Sequence, residues 1–379
     1  MKIITIIGAR PQIIKAAAIS RAIRNHFSKE IKEIIVHTGQ HYDENMSTVF
    51  FDELQIPKPD YNLNVGSGNH GSQTAKMLEG IEEIILNEKP NAVLVYGDTN
   101  STVAGGLAAS KLLVPLVHIE AGLRSFNKCM PEEINRISCD HMSTLLFSPT
   151  KQGVDNLQKE GFRLKNKKPF TIDNPGVYHC GDIMYDNSLF FSELASSKTI
   201  LKDLNLNGPF ILSTIHRNNN TDIPGRLTAI FEALVEISES TKIPVVLPLH
   251  PRTKKMMEVN LSEKLQSKIQ SSGFIKIIPP VSFLEMIALE KNAGFVMTDS
   301  GGVQKEAFYF QKPCVILRPE TEWVEIVQNG NAILCDADKD RILLAYQVLS
   351  QKQDLVYPPL FGDGKAAEFI CAEIMTQLG

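Results

Sequence analysis
The chain has 379 residues, a length that predicts two domains. Its 43% hydrophobic and 22% charged residues are ordinary for a soluble globular protein, and a net charge of -4 argues against a general nucleic-acid or anionic-membrane binder. Six scattered cysteines without a CxxC pair argue against a disulfide framework or a zinc site, and fit reduced thiols in a cytoplasmic protein.

In chain order, the apolar run Ile3–Ile7 is too short for a signal peptide and reads as a first strand. Pro11–Asn25 reads as a helix and Glu33–Thr38 as a second strand. Further strands are expected near 92–96, 115–119, 145–148 and 176–180, with a polar surface loop at Arg163–Pro175. Tyr185–Asn205 reads as one helical crossover. The pattern restarts at Pro209, with apolar runs at 209–216, 243–250, 275–280, 293–299, 313–318 and 332–335. This alternation predicts an α/β fold with parallel sheets covered on both faces. The expected domains are 1–185 and 186–363, with the last helix, 364–379, folding back on the first. No apolar run approaches the ~20 residues of a membrane helix.

The densest chemistry lies between Val93 and Arg136. Two strands, Val93–Tyr96 and Leu116–Ile119, run into Asp98 and Glu120, and Glu132 and Arg136 open the next helix. Ligands of open α/β sheets bind outside the carboxyl ends of strands. Asp98, Glu120 and Glu132 are therefore expected to converge with Arg124 and Arg136, an arrangement suited to proton transfer beside an anion. The plain alternative for Glu132 and Arg136 is an i,i+4 surface pair.

Two phosphate candidates flank this centre. Gly8-Ala9-Arg10-Pro11 joins the first strand to the first helix, with Pro11 at the first helical position and Lys15 about one turn in. GxGxxG and YxxxK are absent, which weighs against an NAD-dependent epimerase. In the second half, Ser300, Gly301 and Gly302 open a helix whose backbone suits a phosphate, and Glu306 suits ribose hydroxyls. The alternative is a glycine turn with a helix-dipole glutamate. His216-Arg217 ends another strand. His118 and Glu120 alternate on one strand face, but too few ligands surround them to favour a metal. His37, Gln40 and His41 end a strand beside the same centre, and His37 and His250 serve equally well as loop hydrogen bonders.

Together these residues resemble the non-hydrolysing UDP-N-acetylglucosamine 2-epimerase family. The likeness covers nearly the whole chain: GARPQIIK (8–15), TGQH (38–41), YGDTNST (96–102), HIEAGLRS (118–125), PEEINR (131–136), HR (216–217), TDSGGVQKEA (298–307) and RPETEW (318–323). It implies two Rossmann-like domains facing a cleft, as in GT-B glycosyltransferases, and a homodimer. Asp98, Glu120, Glu132 and His216 match the catalytic positions. Arg10, His216, Ser300, Gly301, Gly302 and Glu306 match the UDP-binding ones, and Lys15, Arg136 and Arg318 match further basic residues. The implied reaction eliminates UDP, inverts C2 through a glycal and re-adds UDP, with no metal or NAD cofactor.

GARPQ, TGQHYD, FNKCMPEE and ETEW are closer to a branch acting on modified sugars, one of them UDP-2,3-diacetamido-2,3-dideoxyglucuronate. Gly39–Asp43 replaces the AQHR of familiar members, which puts activation by UDP-N-acetylglucosamine in doubt. Asn219 stands where the branch has glutamate. The competing readings are a hydrolysing epimerase, a GT-B glycosyltransferase and a catalytically silent nucleotide-sugar sensor.

Overall fold
The computed structural model describes residues 1–39, 55 and 57–379. The chain divides into two compact units, Met1–Leu189 with Pro359–Gly379, and Phe190–Pro358.

In the first unit the strands are β1 (Lys2–Ile7), β2 (Lys32–His37), β3 (Tyr61–Asn62), β4 (Ala92–Tyr96), β5 (Leu116–Ile119), β6 (Leu145–Ser148) and β7 (Gly176–His179). They form one parallel sheet in the order β3-β2-β1-β4-β5-β6-β7. The apolar runs become strands because helices cover both sheet faces: all of Ala92–Tyr96 is shut from solvent. Chain order reverses between β1 and β4, the switch point where such sheets take ligands. The loops at Gly8 and Gly97 leave the sheet there. Helix Asn100–Lys111 lies close against the sheet and against helix Pro131–Met142 through two glycines. A β-carbon on Gly105 would come within 3.0 Å of Val95, and one on Gly106 within 3.2 Å of Cys139.

The second unit repeats the design with β8 (Ile211–Thr214), β9 (Val245–Pro248), β10 (Ile275–Ile278), β11 (Phe295–Thr298), β12 (Cys314–Ile316) and β13 (Ala332–Leu334). The parallel order is β10-β9-β8-β11-β12-β13. Its switch point lies between β8 and β11, whose ends carry His216 and Asp299–Ser300. Leu227, Ile230, Phe231 and Leu234 of helix Pro224–Thr241 join Leu247, Met297 and Val315 in its core. Both sheets are Rossmann-like.

Three expectations need correction. The exposed two-residue strand β3 carries no apolar run and escapes the pattern. The crossover is not one helix over Tyr185–Asn205. It is helix Ile183–Leu194, a single 3₁₀ turn at Ala195–Ser197 and a short helix Ile200–Asp203. The hydroxyls of Ser196 and Ser197 donate back to the carbonyls of Ser192 and Leu194, which competes with helix continuation. Pro11 is the second residue of helix Arg10–Ala22, not the first.

Helix Ala366–Leu378 packs on helix Arg10–Ala22 within the first unit. Asp186 accepts the N–H groups of Ala366 and Ala367 at 3.2 and 2.7 Å and so caps its start. All six cysteines are free thiols. Among the described residues, no helix is long and apolar enough to cross a membrane.

Candidate active site
At the switch point of the first sheet, Gln12 fixes the β1 loop. Its carbonyl accepts the N–H groups of Gly8 and Ala9 at 2.9 and 3.2 Å, and its amide donates to Tyr96 O and Thr102 Oγ1. A carboxylate here lacks the second pair of donors, so glutamine is the residue that joins the β1 loop to the end of β4. Arg10 is the exposed first residue of the helix that follows.

One turn on, Lys15 forms an ion pair with Glu120. Glu120 is buried and takes φ 74, a left-handed conformation that a non-glycine residue adopts at a cost. Its N–H and that of Ala121 both donate to Phe147 O at 3.0 Å. Asp98 pairs with Arg136 at 2.5 Å. Burial opposes the charge on Arg136, but the carboxylates of Asp98, Glu120 and Asp140 outweigh it and raise its pKa above the ordinary value. Asn135 donates to the Asp98 carbonyl at 2.9 Å and holds that loop. The structure thus gathers Lys15, Asp98, Glu120 and Arg136 about Gly97.

Other expectations separate from this group. Glu132 is exposed in the first turn of helix Pro131–Met142. Its neighbour Glu133 is buried and receives Ser125 N, Ser125 Oγ and Phe126 N, which fixes the preceding loop. Arg124 does not converge with the others. Its guanidinium is occupied by Asp140 and by two hydrogen bonds to Glu160, and although burial opposes its charge, those carboxylates raise its pKa. His118 does not share a strand face with Glu120, because the strand stops at Ile119 and Glu120 turns left-handed. His118 instead contacts Asp140 and the Gly97 carbonyl. Among the described residues, no cluster of three or more His, Cys, Asp or Glu side chains is placed to hold a metal. His37 is buried and accepts Gly39 N, and His250 caps helix Pro251–Asn260. Gln40 and His41 lie outside the described residues.

The second unit carries the other group. Ser300 is the N-cap of helix Gly301–Tyr309. A β-carbon on Gly302 would sit 3.8 Å from Ser300 Oγ and 3.9 Å from Glu306 Oε2, so hydroxyl and carboxylate border the bare backbone between them. Asp299, fully buried, accepts His216 N and Arg217 N, and the amide of Asn220 at 3.1 Å. His216 Nδ1 lies 3.0 Å from the same carboxylate. Burial opposes the charge on Asp299, but these donors hold its carboxyl below the ordinary range. The His216 side chain is half exposed, with its orientation fixed at Nδ1. Arg318 makes two hydrogen bonds to Glu322, at 3.1 and 2.9 Å, beside Gly301. Thr321 donates to Gln304 at 2.6 Å and ties the 318–323 segment to the Ser-Gly-Gly helix. Sequence reasoning gave no role to Asp299 or Asn135. The signal for Asp299 was its place between a strand and Ser-Gly-Gly.

The family model of the UDP-N-acetylglucosamine 2-epimerases matches residues 23–375. The chain belongs to this family. This epimerase is an enzyme of the nucleotide-sugar isomerases. It is 52% identical over 378 residues, all of both chains, to the UDP-2,3-diacetamido-2,3-dideoxy-D-glucuronate 2-epimerase of Pseudomonas aeruginosa. It is 43% identical over 371 residues, 98% of each chain, to the UDP-N-acetylglucosamine 2-epimerase of Methanocaldococcus jannaschii. A crystal structure of the Methanocaldococcus jannaschii UDP-GlcNAc 2-epimerase with UDP-GlcNAc and UDP superposes on the epimerase with TM-score 0.83 at 41% identity, covering 99% and 100% of the two chains. The GT-B-like fold is that of these relatives.

Proposed function
We propose that this epimerase inverts C2 of a UDP-2-acetamido sugar to the manno form without releasing UDP, and that the sugar is 2,3-diacetamido-2,3-dideoxyglucuronate. The observation that carries the sugar is the 52% identity, over its whole length, to the Pseudomonas aeruginosa epimerase of that sugar. UDP-N-acetylglucosamine is the second reading, favoured by 49% identity over the whole chain to a UDP-N-acetylglucosamine 2-epimerase homolog of Methanococcus maripaludis.

The C2–H bond is not next to a carbonyl, so direct proton loss is too costly. Elimination removes the difficulty. A base takes the C2 proton, the C1–O bond to the diphosphate breaks, a C1=C2 double bond forms and UDP departs as an anion. A proton returned to the opposite face of C2, with the UDP oxygen re-added at C1, gives the epimer. No electron is gained or lost, so no redox cofactor is needed. The proposal divides the proton transfers among Asp98, Glu120 and Glu132. Two of these stand against cations, Lys15 at Glu120 and Arg136 at Asp98, which supports charge handling at one centre. His216, Arg10 and the helix start at Ser300, Gly301 and Gly302 stabilise charge growing on the leaving diphosphate. Glu306 takes the ribose hydroxyls. Arg318, oriented by Glu322, is assigned to the sugar and diphosphate. The enzyme is proposed to act as a homodimer, which light scattering tests.

Proton NMR in D2O with each UDP-sugar tests the reading. Deuterium at C2 of a manno product with UDP still attached is expected, fastest with the diacetamido uronate. Free UDP with free sugar would instead make it a hydrolase, and no exchange with either sugar would remove the proposed chemistry.

A further inference from the structure
Asp140 lies on helix Pro131–Met142, fully buried. Three groups converge on its carboxylate. Oδ1 stands 2.8 Å from His118 Nδ1, and Oδ2 takes Gly122 N at 3.2 Å and Arg124 Nη2 at 2.7 Å. From the other side of its ring, His118 Nε2 reaches the Gly97 carbonyl at 2.8 Å. One carboxylate is therefore connected to the residue before Asp98 and to the residue two after Glu120. His118 makes the crossing from β5 to the end of β4, and it too is fully buried. A carbonyl only accepts, and so does an ionised carboxylate. The ring satisfies both partners only with a proton on each nitrogen.

These ties bear on a strained turn. Glu120 has φ 74 and Gly122 φ 78. A left-handed glutamate is strained and persists only where its surroundings over-determine it. The N–H groups of Glu120 and Ala121 are held by Phe147 O, the Gly122 carbonyl by Asn156 and the Gly122 N–H by Asp140. Gly97 is held at both ends, its N–H by Ile119 O at 3.0 Å and its carbonyl by His118.

We propose that Asp140 is a positioning residue of this epimerase: it keeps His118 as a buried imidazolium, and the two together fix the Asp98 and Glu120 turns relative to each other. The inference rests on the reading above, in which Asp98 and Glu120 carry proton transfers. Asparagine at 140 keeps one oxygen for Gly122 and Arg124 but turns an N–H toward His118, whose ring must then give up its Nδ1 proton and its charge. The carboxylates then lose their placement while the nucleotide site, in the other unit, is untouched.

The test uses the full chain. Asp140→Asn is expected to lower kcat about a hundredfold, the scale of a small misplacement of reacting groups, with KM and UDP affinity little changed. Asp140→Glu is expected to recover part of the loss, as a purely space-filling role would not allow. Nitrogen-15 spectra of the histidine-labelled wild type read the ring directly and need no variant to fold. One of the nine histidines is expected to carry a proton on both ring nitrogens, protected from exchange. A wild-type ring at 118 with one proton overturns the inference, as does wild-type kcat in Asp140→Asn. If Asp98→Asn and Glu120→Gln lose turnover while Asp140→Asn keeps it, the inference alone fails. If those two variants keep turnover, the reading beneath it fails.

Discussion
Lys15 and Glu120 form their ion pair in the space that a side chain at position 97 would enter: a β-carbon on Gly97 would lie 3.0 Å from the Glu120 carboxylate and 3.2 Å from the lysine ammonium. Gly97 also takes φ 61. Gly97→Ala is therefore expected to cost about 1–2 kcal/mol of stability from backbone strain. It is expected to lower kcat more than that loss implies, because the pair must move apart. Urea unfolding and turnover measured together check this, and wild-type kcat in a folded Gly97→Ala protein would separate the pair from the chemistry.

Asp98→Asn and Glu120→Gln keep shape and remove the charge proposed to move protons. Each is expected to lower turnover by at least a hundredfold, the usual scale of general acid–base catalysis. UDP affinity by calorimetry is expected to stay near wild type. Parallel losses of turnover and affinity would mean that the two carboxylates serve binding instead.

Glu306→Ala reverses that pattern. A carboxylate hydrogen-bonded to ribose contributes about 1.5–3 kcal/mol, so the UDP dissociation constant is expected to rise about ten- to a hundredfold. Unchanged affinity for UDP would end the ribose assignment. The same experiment with uracil ribonucleoside and 2′-deoxyribonucleoside diphosphates shows whether the lost contact is to the sugar.

Asp186 gives a pH signature to the C-terminal helix. Burial raises its pKa from 3.8 to about 6, against the opposing N–H groups of Ala367 and Ala366 and the charge of Arg21. A folded-state pKa above the unfolded one adds stability that is complete below about pH 4 and is lost as pH rises through about 6. The full difference is about 3 kcal/mol. The stability of wild type relative to Asp186→Asn is expected to fall across that window and stay level above pH 7. Denaturant titrations at pH 4.5, 5.5, 6.5 and 7.5 check it, and a constant difference would contradict the buried anion.

Much of the candidate site was legible because strand ends carry it. GDT after Val93–Tyr96, HIEAG after Leu116–Val117 and TDSGG after Phe295–Met297 each follow an apolar run, and each parallel sheet brings its own strand ends to one edge. The partners were not legible. Periodicity put His118 and Glu120 on one face, yet the strand ends between them, and their side chains go to Asp140 and Lys15 respectively. Arg124 looked like a site cation from its place beside Glu120, but Asp140 and Glu160 take its charge. Neither partner is close to it in sequence.

Two α/β units, parallel sheets, the strand-end carboxylates and the helix opened by Ser300-Gly301-Gly302 were determined by the sequence itself, because hydrophobic period and turn chemistry are local properties of the chain. Which carboxylate meets which cation was decided only by tertiary structure. That choice depends on strand order, which sets β4 between β1 and β5 and so brings Lys15, Asp98, Glu120 and Arg136 to a single glycine. It depends also on burial, which leaves Glu132 in solvent and shuts Glu133 away one residue on. Charge and burial act through space, and neighbours in space are fixed only when the sheet has formed.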